Sequence, residues 1–166
     1  MENIQIYFKA ERAESLVFLA IGLLTFAAGI YFFISVKKPF YMGMAWPLII
    51  IALIQLSVGG TVFVRSPKDI VRVEKIVSAD QNAIVTEEIP RMETVMKNFT
   101  IYRWIEIVLA TGGLILFLTQ ASGSMSKGIG MGLLIQSLFM LGADYFAAKR
   151  GHIYLGWLQE LVKRII

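Results

Sequence analysis

The chain has 166 residues, of which 57% are hydrophobic and 17% charged, with a net charge of +4 and no cysteine. A soluble domain carries about 25% charged residues, so composition argues against a water-soluble globular protein. The missing cysteine excludes disulfides, thiolate nucleophiles, zinc–thiolate centres and iron–sulfur ligation.

In chain order, residues 1–14 set Ile4, Tyr7 and Phe8 among polar positions and predict a short interfacial helix. The first apolar run, residues 15–36, follows Glu11-Arg12-Ala13-Glu14. That flank is not a basic n-region, and the run exceeds the roughly 7–15 residues of a signal-peptide core, so it reads as a retained span. Lys37-Lys38-Pro39 predicts a tight turn. A second span covers residues 42–64, with Pro47 in its first turns, where a missing N–H is best tolerated.

Residues 65–101 read as a cytosolic helical connection. Ser66-Pro67-Lys68-Asp69 has the form of a helix start, with a serine cap, proline at the first position and an acid at the third. Ser78–Ala83 predicts a break, and Thr86–Pro90 a second start. From there Met92, Val95, Met96, Phe99 and Arg103 keep helical spacing into a third span, residues 102–119. Residues 120–126 are small and polar, a turn. A fourth span covers residues 127–148. Residues 152–166 form an amphipathic helix with Tyr154, Trp157, Leu158, Leu161 and Ile165 on one face, expected to lie on the inner leaflet or dock on the cytosolic helices.

A hydrocarbon core about 30 Å thick takes about 20 helical residues to cross. The fold class is therefore an all-α polytopic membrane protein: one domain, a four-transmembrane-helix bundle with cytosolic amphipathic helices. Thirteen Lys and Arg fall on the side of the termini and the middle connection, against Lys37, Lys38 and Lys127 on the other. The positive-inside rule then puts both termini in the cytosol of a bacterial inner membrane. These basic residues hug the span ends and alternate with acids, so membrane lipid is the expected anionic partner rather than nucleic acid.

Few polar residues enter the spans. Glu106 and Asp144 are the acids inside them, each near the cytosolic end, with Glu14 at the mouth of the first. Intramembrane acids are functional candidates by default. The competing reading is interfacial ion pairing, of Glu106 with Arg103 three residues earlier and of Asp144 with Lys149 or Arg150. Convergence of Glu14, Glu106 and Asp144 into one cation site is a further alternative. Gln55 and Gln136 lie deeper and predict an amide contact between helices. Gly59, Gly60, Gly112, Gly113, Gly128 and Gly132 are candidates for close helix packing, within the chain or in a homo-oligomer. No phosphate loop, nucleophile elbow or HExxH motif is present, and one histidine cannot build a zinc site. Neither catalysis nor a cofactor is expected.

The two halves resemble each other. Shifted by 91, Phe8, Arg12, Gly22 and Phe26 meet Phe99, Arg103, Gly113 and Phe117; shifted by 85, Gly43, Leu48 and Arg65 meet Gly128, Leu133 and Arg150. Shared membrane composition explains the apolar matches. A tandem helical-hairpin repeat also explains the glycines and arginines, and implies a pseudo-twofold along the membrane normal.

Small size, four spans, cytosolic termini and the stretch Arg91-Met92-Glu93-Thr94-Val95-Met96-Lys97-Asn98-Phe99-Thr100-Ile101-Tyr102-Arg103 resemble small bacterial membrane immunity proteins. The resemblance implies a non-catalytic protein that binds a membrane-inserted pore-forming toxin and blocks pore assembly sterically; it carries over no site residues. The alternatives are a small ion- or proton-coupled transporter or channel subunit, which would use a membrane carboxylate, and a lipid-modifying enzyme, for which the residue inventory supplies no parts.

Overall fold

The computed structural model describes residues 1–79 and 81–165. Four long helices form a bundle: α1 (Glu2–Tyr31), α2 (Pro39–Ala79), α3 (Ile89–Thr119) and α4 (Met125–Ile165). Each is long and apolar enough to cross a bilayer, and together they define a multi-pass membrane protein. α2 and α4 have 41 residues each. At 1.5 Å per residue that is about 60 Å, twice the hydrocarbon thickness. The helices therefore extend well beyond any membrane at the end that carries the two termini, here the terminal end.

Two tight turns close the opposite end. α1 widens into a π turn at Phe32–Val36, and Lys37 caps it in the left-handed conformation (φ 51°), its N–H donating to the Phe32 carbonyl at 3.1 Å. Gly123 (φ 79°) reverses the chain between α3 and α4. At the terminal end, a single turn at Gln81–Ala83 and a π turn at Ile84–Glu88 lead from α2 into α3. Two antiparallel hairpins result, α1–α2 and α3–α4, joined along α2 and α4. α1 and α3 form the flanks, where Leu24, Val108 and Leu118 are about two-thirds exposed. Lipid accepts such a surface; water does not.

Three expected boundaries are absent. Ser66-Pro67 does not start a helix, because α2 runs unbroken through both Pro47 and Pro67. An interior proline disfavours a helix by about 3 kcal/mol, yet the surrounding packing holds α2 continuous. The Ser66 hydroxyl sits 2.8 Å from both the Val62 carbonyl and the Glu11 carboxylate, inside the helix rather than at its cap. Residues 1–14 are not a separate interfacial helix but the first turns of α1. Residues 152–165 are not a separate helix either, since α4 continues through Gly151 and His152. Of the expected break at Ser78–Ala83, Asp80 lies outside the described residues, as does Ile166 at the chain end.

These extensions build the main hydrophobic core. Ile4 and Phe8 of α1, Val73 of α2, Ile84, Met92 of α3 and Leu158 of α4 are fully buried against one another. Tyr7 stacks on Tyr154 at 4.3 Å, and Phe8 meets Tyr154 edge-on at 5.8 Å. The apolar faces read as membrane-surface or docking faces are occupied by each other.

Candidate binding cavity

Within the spans, packing rests on small residues. A Cβ on Gly43 would overlap the Met125 carbonyl, and one on Gly128 would overlap the Phe40 carbonyl. The α2–α4 contact is thus symmetric under an 85-residue shift: Gly43 faces Met125 and Ile129, while Gly128 faces Phe40 and Met44. A Cβ on Gly132 would sit 2.7 Å from the Met44 carbonyl, and one on Gly113 would sit 2.9 Å from that of Gly130. Gly59 packs against Leu19 and the Ser15 carbonyl. Gly60 and Gly112 meet no other residue within 4 Å, so they are not packing positions within the chain. Adjacent glycines lie about 100° apart on a helix, and only one of each pair can face the neighbour. Gly29, Gly43 and Gly130 are not among the packing glycines expected from the sequence, although they make equally close approaches. The 91-residue match of the first helices does not carry over into packing. Gly22 meets Gln55 and Leu56, whereas Gly113 meets Gly130, Leu133 and Leu134.

Gln55 donates from Nε2 to Oε1 of Gln136 at 3.2 Å, and both amides are fully buried. This is the expected bond between α2 and α4. Among the described residues, Gln55 Oε1, Gln136 Nε2 and the hydroxyl of buried Ser137 have no hydrogen-bond partner.

Nearer the terminal end, the two hairpins part. Between α1 and α4, floored by α2, lies a cavity of about 600 Å³. Phe18 and Phe139 stack across it at 6.0 Å, and Phe99, Phe146, Val58 and Leu138 add to an apolar wall. Polar groups concentrate at one rim: Tyr7, Glu11, Glu14, Asp144 and Arg150. Arg150 holds both carboxylate oxygens of Glu14 through its two terminal nitrogens, bridging α4 to α1. Glu11 is engaged by the Ser66 hydroxyl and by Arg65 at 3.3 Å. Burial pushes the Glu11 carboxyl above its ordinary value despite these two partners.

The expected ion pairs of the span acids do not form. Arg150 turns to Glu14 instead of Asp144, because a residue six positions on lies about 240° around the helix. Arg103 is exposed, and among the described residues no cation bonds either carboxylate oxygen of Glu106, although Glu106 is only 2% exposed. Near the interface a long arginine side chain reaches outward to water. Glu106 faces Asp144 across the α3–α4 seam, within hydrogen-bonding reach. Of the three acids expected to converge, Glu14 and Asp144 line the cavity and Glu106 stands behind Asp144. Among the described residues no group of three or more acids, His or Cys is placed to hold a metal ion.

A second polar centre lies beyond the cavity, in the terminal core. Glu88 is fully buried and takes 2.6 and 3.0 Å bonds from Arg91, a 2.8 Å bond from Arg72 and a 3.2 Å bond from the Tyr154 hydroxyl. Burial alone would raise the Glu88 carboxyl, but Arg91 and Arg72 outweigh it and hold the group below its ordinary value. Burial pushes the Tyr154 phenol up, keeping its proton available to Glu88. Asp69 extends the network to Arg65 at 2.9 Å and Arg72 at 3.3 Å. Sequence reasoning missed Glu88. Its only local signal is Arg91 three residues on, a spacing common on exposed helix faces.

Comparison of the chain with protein families, with curated proteins and with solved structures gives no match.

Proposed function

We propose that this is a non-catalytic binding protein of the bacterial inner membrane, with both termini in the cytosol, whose inter-hairpin cavity receives an apolar partner from within the bilayer. The observation that carries the reading is the cavity itself: about 600 Å³, walled by aromatic and aliphatic side chains and polar at one rim. That form suits a guest with an apolar body, and the volume lies in the range of specific binding sites, about 300–1,000 Å³. The thirteen-to-three split of basic residues supports the orientation, which places the rim at the cytosolic interface.

The sequence resemblance to membrane immunity proteins names the partner class, a membrane-inserted pore-forming toxin. Seating one of its apolar segments between the hairpins would deny that segment to pore assembly. The test is co-expression with a toxin gene encoded beside this one, with a photo-crosslinking residue at Leu138. Rescue of growth together with a crosslink to the toxin is expected. Absence of rescue, with crosslinks to lipid alone, would remove the toxin reading.

One observation favours a second reading, a small ion- or proton-coupled transporter or channel subunit: Asp144 at the cavity wall has no ion pair among the described residues and faces buried Glu106. Flux into proteoliposomes that an Asp144→Asn change abolishes would select it.

A further inference from the structure

We propose that the inter-hairpin cavity selects an organic cation carried on an apolar body, with Asp144 as counter-ion and the rings of Phe18, Phe99 and Phe139 as its seat. The inference rests on the cavity being a binding site and adds the chemical class of the guest.

Charge around the cavity carries the argument. Glu14 is already bound by Arg150, and Glu11 by Arg65 and Ser66. Asp144 has no ion pair among the described residues, and lines the cavity on α4. Glu106, 2% exposed, faces Asp144 from behind and does not line the cavity. Arg103 and Lys149 are exposed, and among the described residues neither forms an ion pair with Asp144 or Glu106, although the charge of Arg103 acts on both acids. Among the described residues, Asp144 is thus the rim carboxylate that no cation holds directly. An anionic lipid headgroup is disfavoured there, because the guanidinium it would seek is taken by Glu14.

The wall supplies the second half of recognition. Phe18 and Phe139 stack at 6.0 Å, and Phe99 lines the same cavity. Ring faces attract ammonium, guanidinium and phosphonium groups, most strongly where water is excluded. A cavity lined by a carboxylate and several rings therefore prefers a cation over a neutral or anionic body of equal size. The cation can belong to a small lipophilic amine or to a basic residue on an apolar protein segment; the chemistry at the wall is the same.

Tetraphenylphosphonium and tetraphenylborate share a shape and differ in charge, which makes them the probes. Binding is measured on the full chain in nanodiscs of zwitterionic lipid, against empty nanodiscs. The wild type should bind the phosphonium about tenfold more tightly than Asp144→Asn does, a size of effect set by a desolvated cation contact. Tetraphenylborate should bind both forms alike. Phe139→Leu should weaken the phosphonium several-fold, while Phe40→Leu, outside the cavity, should not. Unchanged phosphonium affinity in Asp144→Asn, with the variant folded by thermal scan, overturns the inference and leaves the cavity reading standing. Failure of both probes to bind above empty nanodiscs overturns both. Displacement of bound phosphonium by an apolar helical peptide carrying one lysine, and not by its norleucine counterpart, assigns the cation to a protein segment. Displacement by neither assigns it to small molecules.

Discussion

The two ends of the bundle are held together by different means. Around the turn end, α2 and α4 touch at backbone level, through Gly43, Gly128 and Gly132. At the terminal end α2, α3 and α4 are joined by large side chains, Val73, Met92 and Leu158, and by a buried carboxylate bonded by Arg72, Arg91 and Tyr154. The contrast follows from the solvent. In lipid, burying a leucine gains little, so association relies on close van der Waals approach between small residues. In water, burying the same side chain gains about 1.5–3 kcal/mol. The cavity sits where one regime gives way to the other.

The largest expected effect comes from filling a glycine contact. Gly128→Leu should prevent α2 and α4 from closing and abolish the folded protein in detergent, since no flexible side chain can move out of the way of the Phe40 carbonyl. Gly60→Ala and Gly112→Ala should raise stability by up to about 1 kcal/mol, through helix propensity alone. Equal effects at all three positions would erase the distinction between packed and open glycines.

Glu88→Ala tests the other end. It should cost about 2–3 kcal/mol, below the full buried-pair range because Arg72 and Arg91 keep some access to water. Chemical unfolding of the detergent-solubilised protein measures it. A cost confined to the spans, with the terminal core unaffected, would show that the extensions contribute no cooperative stability.

Acid sharpens the comparison further. Glu88 lies below its ordinary value in the fold, so its contribution is complete above the unfolded pKa and is lost as pH falls through the lower folded value. Glu11 has the opposite sign. Its raised value makes its contribution complete below the unfolded pKa and lost as pH rises through the folded one. Unfolding midpoints between about pH 3 and 7 should therefore fall less steeply with acid in Glu88→Gln and more steeply in Glu11→Gln.

The smallest effect is expected at mid-span. Gln55→Leu should cost about 1 kcal/mol or less, as for other amide contacts between helices in lipid. The double change Gln55→Leu with Gln136→Leu should recover part of that, because no amide is then left unpaired. A cost well above this would mark the amide pair as more than a helix contact.

Much of the architecture was legible in the residues. Four apolar stretches of bilayer length leave a helix as the economical way to satisfy backbone hydrogen bonds in lipid. Short turns at Lys37-Lys38 and Gly123 make hairpins, and paired polar residues such as Gln55 and Gln136 announce helix contacts. The errors share one cause. Ser66-Pro67, the lead-in at residues 1–14 and the tail from residue 152 all carry local signals for a boundary, and tertiary packing overrode each one. An apolar face on a short amphipathic segment reads the same whether a membrane or another helix covers it.

The cavity, the Glu14–Arg150 bridge and the Glu88 network were decided by tertiary structure, since their members come from helices far apart in the chain. Which arginine meets which acid depends on helix rotation and on the gap between hairpins, and neither is encoded in spacing along one helix. The set of rods and the side on which charge accumulates follow from the residues of each segment alone, because bilayer thickness and the aversion of charge to lipid act segment by segment. How those rods meet, and where they fail to meet, was left to packing.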